Sequence, residues 1–145
     1  HRGIKRLENI IHEAEQKEIH VAFENLNNLH NLALVLGTFQ SKNAGYCYDS
    51  CHHQNYAADV DLLKRYGNRI MALHLHDNGG KHNQHRLPFD GNLDWGKVMK
   101  KTALTGYQGA TALEPMNWDY EHLSIQQFLD LAYQKAKKLD ELRKV

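Results

Sequence analysis

The strongest constraint on the fold of this chain is a regular alternation of helical and strand-like segments. Apolar residues recur at helical spacing in three stretches: 3–18, 29–39 and 55–66. Short runs typical of buried strands lie between and after them: 20–26, 44–49, 69–76 and 109–114. Two more helices are expected, one from about Trp95 and one that opens with Ser124 and Gln127, spaced as a capping box. Strands that alternate with helices in this way predict right-handed β-α-β units and a parallel sheet.

The length of the chain limits how much of such an architecture it can form. Four β/α units are half of an eight-stranded barrel, which typically takes about 250 residues, and this chain has 145. We therefore expect an α/β fold of the (β/α) barrel type, a half barrel with parallel strands that occupies residues 1–145 as one domain or fragment. Because a half barrel leaves two strand edges unpaired, we expect it to self-associate or to need the missing half.

Composition excludes several classes of partner. The 18 Lys and Arg against 17 Asp and Glu give a net charge of +1, and no block of like charges occurs, so we expect no nucleic-acid partner. No apolar run approaches the roughly 18–20 residues of a membrane span, so no membrane partner is expected either. Two cysteines make no disulfide framework, and a reducing cytoplasm is the default. Histidine is unusually frequent, with 11 residues, and this excess indicates metal or acid–base chemistry.

A polar side chain ends each predicted strand. These residues are Glu24, Asp49, His74 and Glu114. In a parallel barrel every strand points the same way, so the four side chains are expected at one rim, where active sites of this architecture lie. The alternation of side chains agrees, because each polar residue shares its face with small residues while bulky ones take the opposite face.

Converging carboxylates favour a cation at this rim. Without one, three carboxylates would repel each other and protonate. Three oxygen donors and one nitrogen suit Mn²⁺ or Mg²⁺, with Zn²⁺ or Co²⁺ as alternatives. The competing interpretation is that the four residues are ordinary strand-end polar groups that contact solvent or cap helices.

At these residues the chain resembles the xylose isomerase-like TIM barrels, a family of sugar and sugar-phosphate isomerases and epimerases. Zinc-dependent apurinic-site endonucleases are structural cousins of this family. The resemblance rests on five motifs in order: FENL at Glu24, DSCH from Asp49, LHLHDN at His74, LPFDGNLDW, and ALEP at Glu114. It covers essentially the whole chain but only the C-terminal half of the family's barrel. It implies that Glu24, Asp49, His74 and Glu114 hold the metal.

The resemblance also implies roles for two loop histidines. The residue matching His52 contacts substrate oxygens in the epimerases and holds an additional zinc in the endonucleases. His85 resembles the second member of the family's Asp-x-His pair, but Asn83 stands where the endonuclease pattern has Asp. A neutral amide is a poorer zinc ligand than a carboxylate. We therefore expect His52 and His85 to contact substrate, and His76 and His82 to lie behind the site or to face solvent.

These inferences predict a metal-dependent isomerase or epimerase that acts on a sugar or sugar phosphate. The cation would bind the carbonyl and neighbouring hydroxyl oxygens and stabilise an enediolate. Glu24 and Glu114 would move the proton as the catalytic pair, as the resemblance to the epimerases implies. Two alternatives stay open: a zinc-dependent phosphodiester hydrolase acting at abasic DNA, and a non-catalytic half-barrel fragment or binding module. Trp118 follows the fourth strand, where it either walls a pocket or packs in the core.

Overall fold

A computed structural model of the chain describes residues 2–80 and 84–144. Within them the elements follow in the order α1 (Arg2–Gln16), β1 (Val21–Glu24), α2 (Leu29–Thr38), β2 (Ala44–Asp49), α3 (Ser50–Tyr56), α4 (Leu62–Tyr66), a 3₁₀ turn (Gly67–Arg69), β3 (Ile70–His74), α5 (Trp95–Leu104) and α6 (Ile125–Arg143). The predicted α/β alternation is confirmed. Across the described residues, no helix combines the length and apolar character needed to cross a membrane.

The three strands form one parallel sheet in the order β1-β2-β3. The register pairs Glu24 with Cys47 between β1 and β2, and Asp49 with His74 between β2 and β3. Because the strands are parallel, their carboxyl ends lie at the same edge of the sheet. The last residues of the three strands therefore come close together although they are far apart in sequence.

The fourth strand, expected over 109–114, is much shorter than predicted. Leu113 forms an isolated parallel bridge with Leu75, just beyond the end of β3. The Leu75 N–H donates to Ala112 O at 3.0 Å, and the Glu114 N–H donates to Leu75 O at 3.1 Å. Two earlier residues of this segment bond to α6, because the Gly109 carbonyl accepts from Arg143 and the Thr111 hydroxyl donates to Asp140. The bridge nevertheless keeps the parallel direction and brings Glu114 to the same edge as the ends of the other strands.

The helix expected over residues 55–66 is divided in two and begins earlier. The first part, α3, starts at Ser50 directly after β2, because the Asp49 side chain caps it by accepting the His52 N–H at 2.7 Å. The second part, α4, starts at Leu62. Asp49 is thus both the last residue of a strand and the cap of a helix, and this double role limits the freedom of its side chain.

The bulky strand residues pack against the helices, as the alternation of side chains predicts. Tyr46, Tyr48 and Leu73 are buried and belong to one apolar cluster. Their helical partners in it are Leu32, Leu36, Leu62, Leu63, Trp95, Met99 and Leu139. Burying a side chain of this size contributes about 1.5–3 kcal/mol, so this cluster holds the helices on one face of the sheet.

Asp77 anchors the long loop between β3 and α5. Its buried carboxylate accepts the indole N–H of Trp95 at 2.7 Å, the Phe89 N–H at 3.0 Å and the Leu93 N–H at 3.2 Å. An antiparallel bridge between Asp77 and Arg86 ties the two arms of the loop together. These bonds hold the described part of the loop against the carboxyl edge of the sheet.

Candidate metal centre and active site

The four predicted ligands converge at the carboxyl edge of the sheet. Glu24, Asp49, His74 and Glu114 each offer one donor atom, and these atoms all lie within 4.8 Å of one another. The first three are the last residues of β1, β2 and β3, and Glu114 follows the single bridge that replaces the fourth strand. The geometry of a parallel sheet is therefore sufficient to gather them.

The donor set fits a divalent cation. His74 Nδ1 lies 3.6 Å from Glu24 Oε2 and 3.5 Å from Glu114 Oε2. Both His74 Nδ1 and Glu114 Oε2 are buried, and neither has a hydrogen-bond partner among the described residues. Buried polar atoms without partners are costly. A cation between them would satisfy both atoms and offset the repulsion of the three carboxylates.

Asn25 fixes the backbone of Asp49. Its side chain is buried, its Nδ2 donates to Asp49 O at 2.9 Å, and its Oδ1 accepts the Asp49 N–H at 2.8 Å. The Tyr46 hydroxyl donates to the same Oδ1 at 2.8 Å. Because Asn25 directly follows Glu24, it ties the carboxyl ends of β1 and β2 together beneath the ligand group.

The carboxylate of Asp49 is held from two sides. Oδ1 accepts the His52 N–H at 2.7 Å, and Oδ2 accepts the Nε2–H of His76 at 2.9 Å. Burial raises the pKa of Asp49, but the bond and charge of His76 together with the His52 contact outweigh it and hold this pKa below its ordinary value. The carboxylate is therefore ionised at neutral pH, which metal coordination requires.

His76 lies behind Asp49, fully buried. Its ring stacks on the ring of His85, with 4.0 Å between centroids and 4° between planes. From the sequence, His76 was expected either to lie behind the site or to face solvent. Because side chains two positions apart in extended chain share a face, the spacing of His76 from His74 in LHLHDN was the available signal. Asn25 gave no comparable signal, since its role depends on bonds to a distant strand.

His52 and His85 flank the ligand group. His52 Nδ1 lies 2.8 Å from Glu24 Oε1, but the angles of this contact are not those of a hydrogen bond. The contact with Glu24 raises the pKa of His52 above its ordinary value, outweighing burial, which lowers it. His85 donates from Nδ1 to Glu114 O at 3.0 Å. The two rings are 6.4 Å apart, so the structure brings both histidines to the site. His82 and Asn83 lie outside the described residues.

Trp118 stands at the rim of the site and not in the core. It is 57% exposed, and its ring meets His85 edge to face at 5.9 Å. On the other side, Tyr56 is partly exposed with its ring 5.9 Å from that of His52. Aromatic side chains therefore border the ligand group at two points.

Cys47 lies beneath the ligand group. Burial, followed by the charges of Glu24, Asp49 and Glu114, raises the pKa of its thiol to about 12. The thiol is therefore protonated at neutral pH and acts as a small apolar residue, because a thiol must ionise to become a metal ligand.

Comparison with known proteins agrees with the motifs and the fold. A family model described as xylose isomerase-like TIM barrel matches residues 2–135. The chain belongs to this family. The resemblance inferred from the five sequence motifs is therefore confirmed, and the parallel sheet with its helices is a partial (β/α) barrel of xylose isomerase-like type.

Curated relatives of this xylose isomerase-like chain are longer than it is. The uncharacterized protein y4fM of Sinorhizobium fredii is 34% identical over 135 residues, which cover 88% of this chain and 43% of the relative. The uncharacterized protein MJ1311 of Methanocaldococcus jannaschii is 30% identical over 122 residues, which cover 77% of this chain and 42% of the relative. The chain thus spans less than half the length of these relatives.

A solved structure shares the fold. It is described as a D-tagatose 3-epimerase-like protein and superposes with a TM-score of 0.75 at 24% identity. The match covers 97% of this chain and 54% of that one. At this level of identity the similarity establishes the fold alone.

The substitution Asn25→Asp should lower the free energy of unfolding by about 2–4 kcal/mol. It replaces the amide that donates to Asp49 O with a carboxylate of the same size, which must stay charged against a carbonyl or take up a proton. Urea denaturation followed by circular dichroism measures the effect. Asn27→Asp makes the same charge change at an exposed residue and should stay within about 0.5 kcal/mol of the wild type. Equal stability of the two variants would contradict the role given to Asn25.

Proposed function

We propose that this chain carries the metal-binding and proton-transfer half of an enzyme that isomerises or epimerises a sugar or sugar phosphate. The observation that carries the proposal is the convergence of three carboxylates and one imidazole within 4.8 Å at the carboxyl edge of the sheet. Membership of the xylose isomerase-like TIM barrel family supports it, as does the shared fold with a D-tagatose 3-epimerase-like protein. The two free, buried thiols suit a reducing compartment, and we place the enzyme in the cytoplasm.

Glu24, Asp49, His74 and Glu114 would hold one divalent cation. Three hard oxygen donors against one nitrogen favour Mn²⁺ or Mg²⁺ over Zn²⁺ or Co²⁺. When bound, such a cation supplies a Lewis acid beside the substrate carbonyl and makes the neighbouring C–H bond more acidic.

Exposure distinguishes the three carboxylates. The Asp49 side chain is 0% exposed, whereas those of Glu24 and Glu114 are 25% and 38% exposed. A substrate can therefore reach the two glutamates but not Asp49. Both glutamates lie within 3.6 Å of His74 Nδ1. We assign proton transfer to Glu24 and Glu114, and to Asp49 only the holding of the cation.

In this reaction one glutamate takes the proton from the carbon next to the carbonyl, and the electron pair of the C–H bond passes into an enediolate. In an epimerase, the other glutamate returns a proton to the opposite face of the same carbon. In an isomerase, the proton returns to the former carbonyl carbon, and the hydroxyl proton passes to the former carbonyl oxygen. Positioned general acids and bases of this kind contribute roughly 10²–10⁴-fold each.

His52 and His85 are assigned to substrate binding. His52 contacts the Glu24 carboxylate, and His85 is bonded to the backbone of Glu114. Each histidine therefore stands next to one of the two glutamates. Imidazole N–H groups at these positions would donate to substrate hydroxyl or carbonyl oxygens and orient the sugar between the two carboxylates.

The metal assignment predicts that the purified protein holds about one divalent cation per site and that Asp49→Ala loses it. The substitution removes the buried ligand and leaves two carboxylates and one imidazole. Elemental analysis after dialysis against Mn²⁺ measures the content. Asp59→Ala removes an exposed carboxylate of the same type and should keep the cation. Unchanged metal content in Asp49→Ala would refute the site.

The catalytic assignment predicts that Glu24→Gln and Glu114→Gln each lower turnover by roughly 10²–10⁴-fold. Glutamine keeps the size and one oxygen donor but is not a base, so metal content should fall much less than turnover. The measurement is incorporation of deuterium from heavy water into the carbon next to the carbonyl, over a panel of ketoses and aldoses and their phosphates. In the completed barrel the wild type should catalyse this exchange, and both variants should lose it.

The same experiment separates the alternatives. No exchange with any sugar, combined with zinc-dependent cleavage of abasic DNA, would replace the isomerase proposal by the endonuclease. If neither reaction occurs in the completed barrel with metal bound, a binding module becomes the better interpretation.

We also propose that the chain is the C-terminal half of a barrel and completes it with a second half. In the described part of the chain, β1 pairs only with β2, so its other edge lies open. Three large apolar residues of α6 are exposed at a spacing of four: Ile125, Leu129 and Tyr133. Residues four apart share one face of a helix, so this face matches an apolar partner surface.

On its own the 145-residue chain should therefore self-associate at micromolar concentration. Sedimentation velocity should give species larger than a monomer, and Leu129→Glu should shift them towards the monomer because it buries a charge in the contact. Gln134→Glu adds the same charge at an exposed residue outside the apolar face and should change nothing. A stable wild-type monomer that binds no hydrophobic dye would contradict the half-barrel proposal.

A further inference from the structure

The Nε2–H of His76 faces two of the carboxylates assigned to the cation. Nε2 lies 2.9 Å from Asp49 Oδ2 and 3.7 Å from Glu114 Oε2. Only the shorter contact is a hydrogen bond, with the ring donating to Asp49. This N–H therefore lies between two negative groups that would otherwise repel each other, and it is hydrogen-bonded to the one that is fully buried.

The orientation of the His76 ring is fixed from both ends. The Ser50 hydroxyl accepts the His76 N–H at 3.1 Å and donates to His76 O at 2.8 Å, which holds the backbone. The stack on His85 holds the plane of the ring. Because Ser50 directly follows Asp49, the donor and its acceptor are joined through neighbouring backbone as well as through the side chains. The N–H of His76 is therefore preorganised towards Asp49.

The Nε2 atom of His76 is not free to bind a cation while it donates to Asp49. His76, His85 and Glu114 also offer donor atoms within 4.8 Å of one another. Nε2 of His76 carries the proton that is donated to Asp49, and Nδ1 of His85 carries the proton that is donated to Glu114 O, so these two nitrogen atoms have no free lone pair. Nδ1 of His76 is buried and has no hydrogen-bond partner among the described residues.

We propose that His76 is a positioning residue of the metal centre, which fixes the Asp49 carboxylate and screens it from Glu114 so that both are ready to receive a cation. This inference rests on the proposed function, because it acts through the ligands assigned there. Groups that hydrogen-bond to metal ligands from behind commonly change metal affinity by 10–100-fold when they are replaced. The role is therefore visible in cation binding itself, without any measurement of turnover.

Two substitutions test the N–H donor of His76 and its aromatic ring separately. His76→Phe keeps a flat ring that can stack on His85 but has no donor, whereas His76→Gln keeps an N–H near the position of Nε2 but has no ring. The probe is Mn²⁺ alone, and its free concentration is followed by electron paramagnetic resonance during titration of the protein in the assembly in which it purifies. His76→Phe should raise the Kd for Mn²⁺ by about 10–100-fold, and His76→Gln should restore it to within a few-fold of the wild type.

Controls distinguish positioning from a merely structural role. The free energy of unfolding of each variant is measured in chelator, and His30→Phe, at an exposed residue, controls for the loss of a histidine elsewhere. If His76→Phe does not fold, His76→Asn replaces it, because this amide is one methylene shorter than glutamine and cannot reach Asp49.

Two results would overturn the inference and leave the proposed function intact. One is a Kd for Mn²⁺ in His76→Phe, or in His76→Asn if the Phe variant does not fold, equal to that of the wild type. The other is a Kd in His76→Gln raised as much as in the variant without the donor. A wild type that binds no Mn²⁺, or that binds it equally well after Asp49→Ala, would overturn the proposed function and this inference together.

Discussion

The parallel pairing of β1, β2 and β3 is the constraint on which the candidate site depends. Each strand ends in a polar residue, and because the strands run the same way these residues meet at one edge. An antiparallel arrangement of the same strands would send Asp49 to the opposite edge. The parallel bridge between Leu113 and Leu75 keeps the same direction, so Glu114 lies at this edge as well. Secondary structure alone therefore brings the donors within 4.8 Å.

Contacts around Asp49 fix its position more closely than strand pairing does. Strand pairing places its Cα, Asn25 bonds to its backbone, the start of α3 takes one carboxylate oxygen, and His76 takes the other. These interactions come from separate segments of the chain, so Asp49 is held from several directions. A buried carboxylate held in this way is rigid and ionised, while the side chains of Glu24 and Glu114 remain partly exposed.

Features that follow from local periodicity could be predicted from the sequence. Features that depend on contacts between residues far apart in the chain could not. The alternation of segments and the polar strand ends were enough for the fold class and for the meeting of Glu24, Asp49, His74 and Glu114. The early start of α3 was missed because Asp49 was assigned only as a strand end, although it also caps the helix. Asn25 is an ordinary polar residue in sequence, and its role depends on bonds to β2. The fourth strand is shorter than predicted, and two of its expected residues, Gly109 and Thr111, form bonds to α6 that the sequence pattern did not indicate.

Diffraction from crystals soaked in Mn²⁺ would show directly whether Glu24, Asp49, His74 and Glu114 form one cation site. Data collected at the manganese absorption edge locate the ion independently of any assumed ligands. We expect one strong anomalous peak about 2.0–2.3 Å from an oxygen of Glu24, Asp49 and Glu114 and from a nitrogen of His74. A fully occupied peak elsewhere, with none between these four residues, would contradict it.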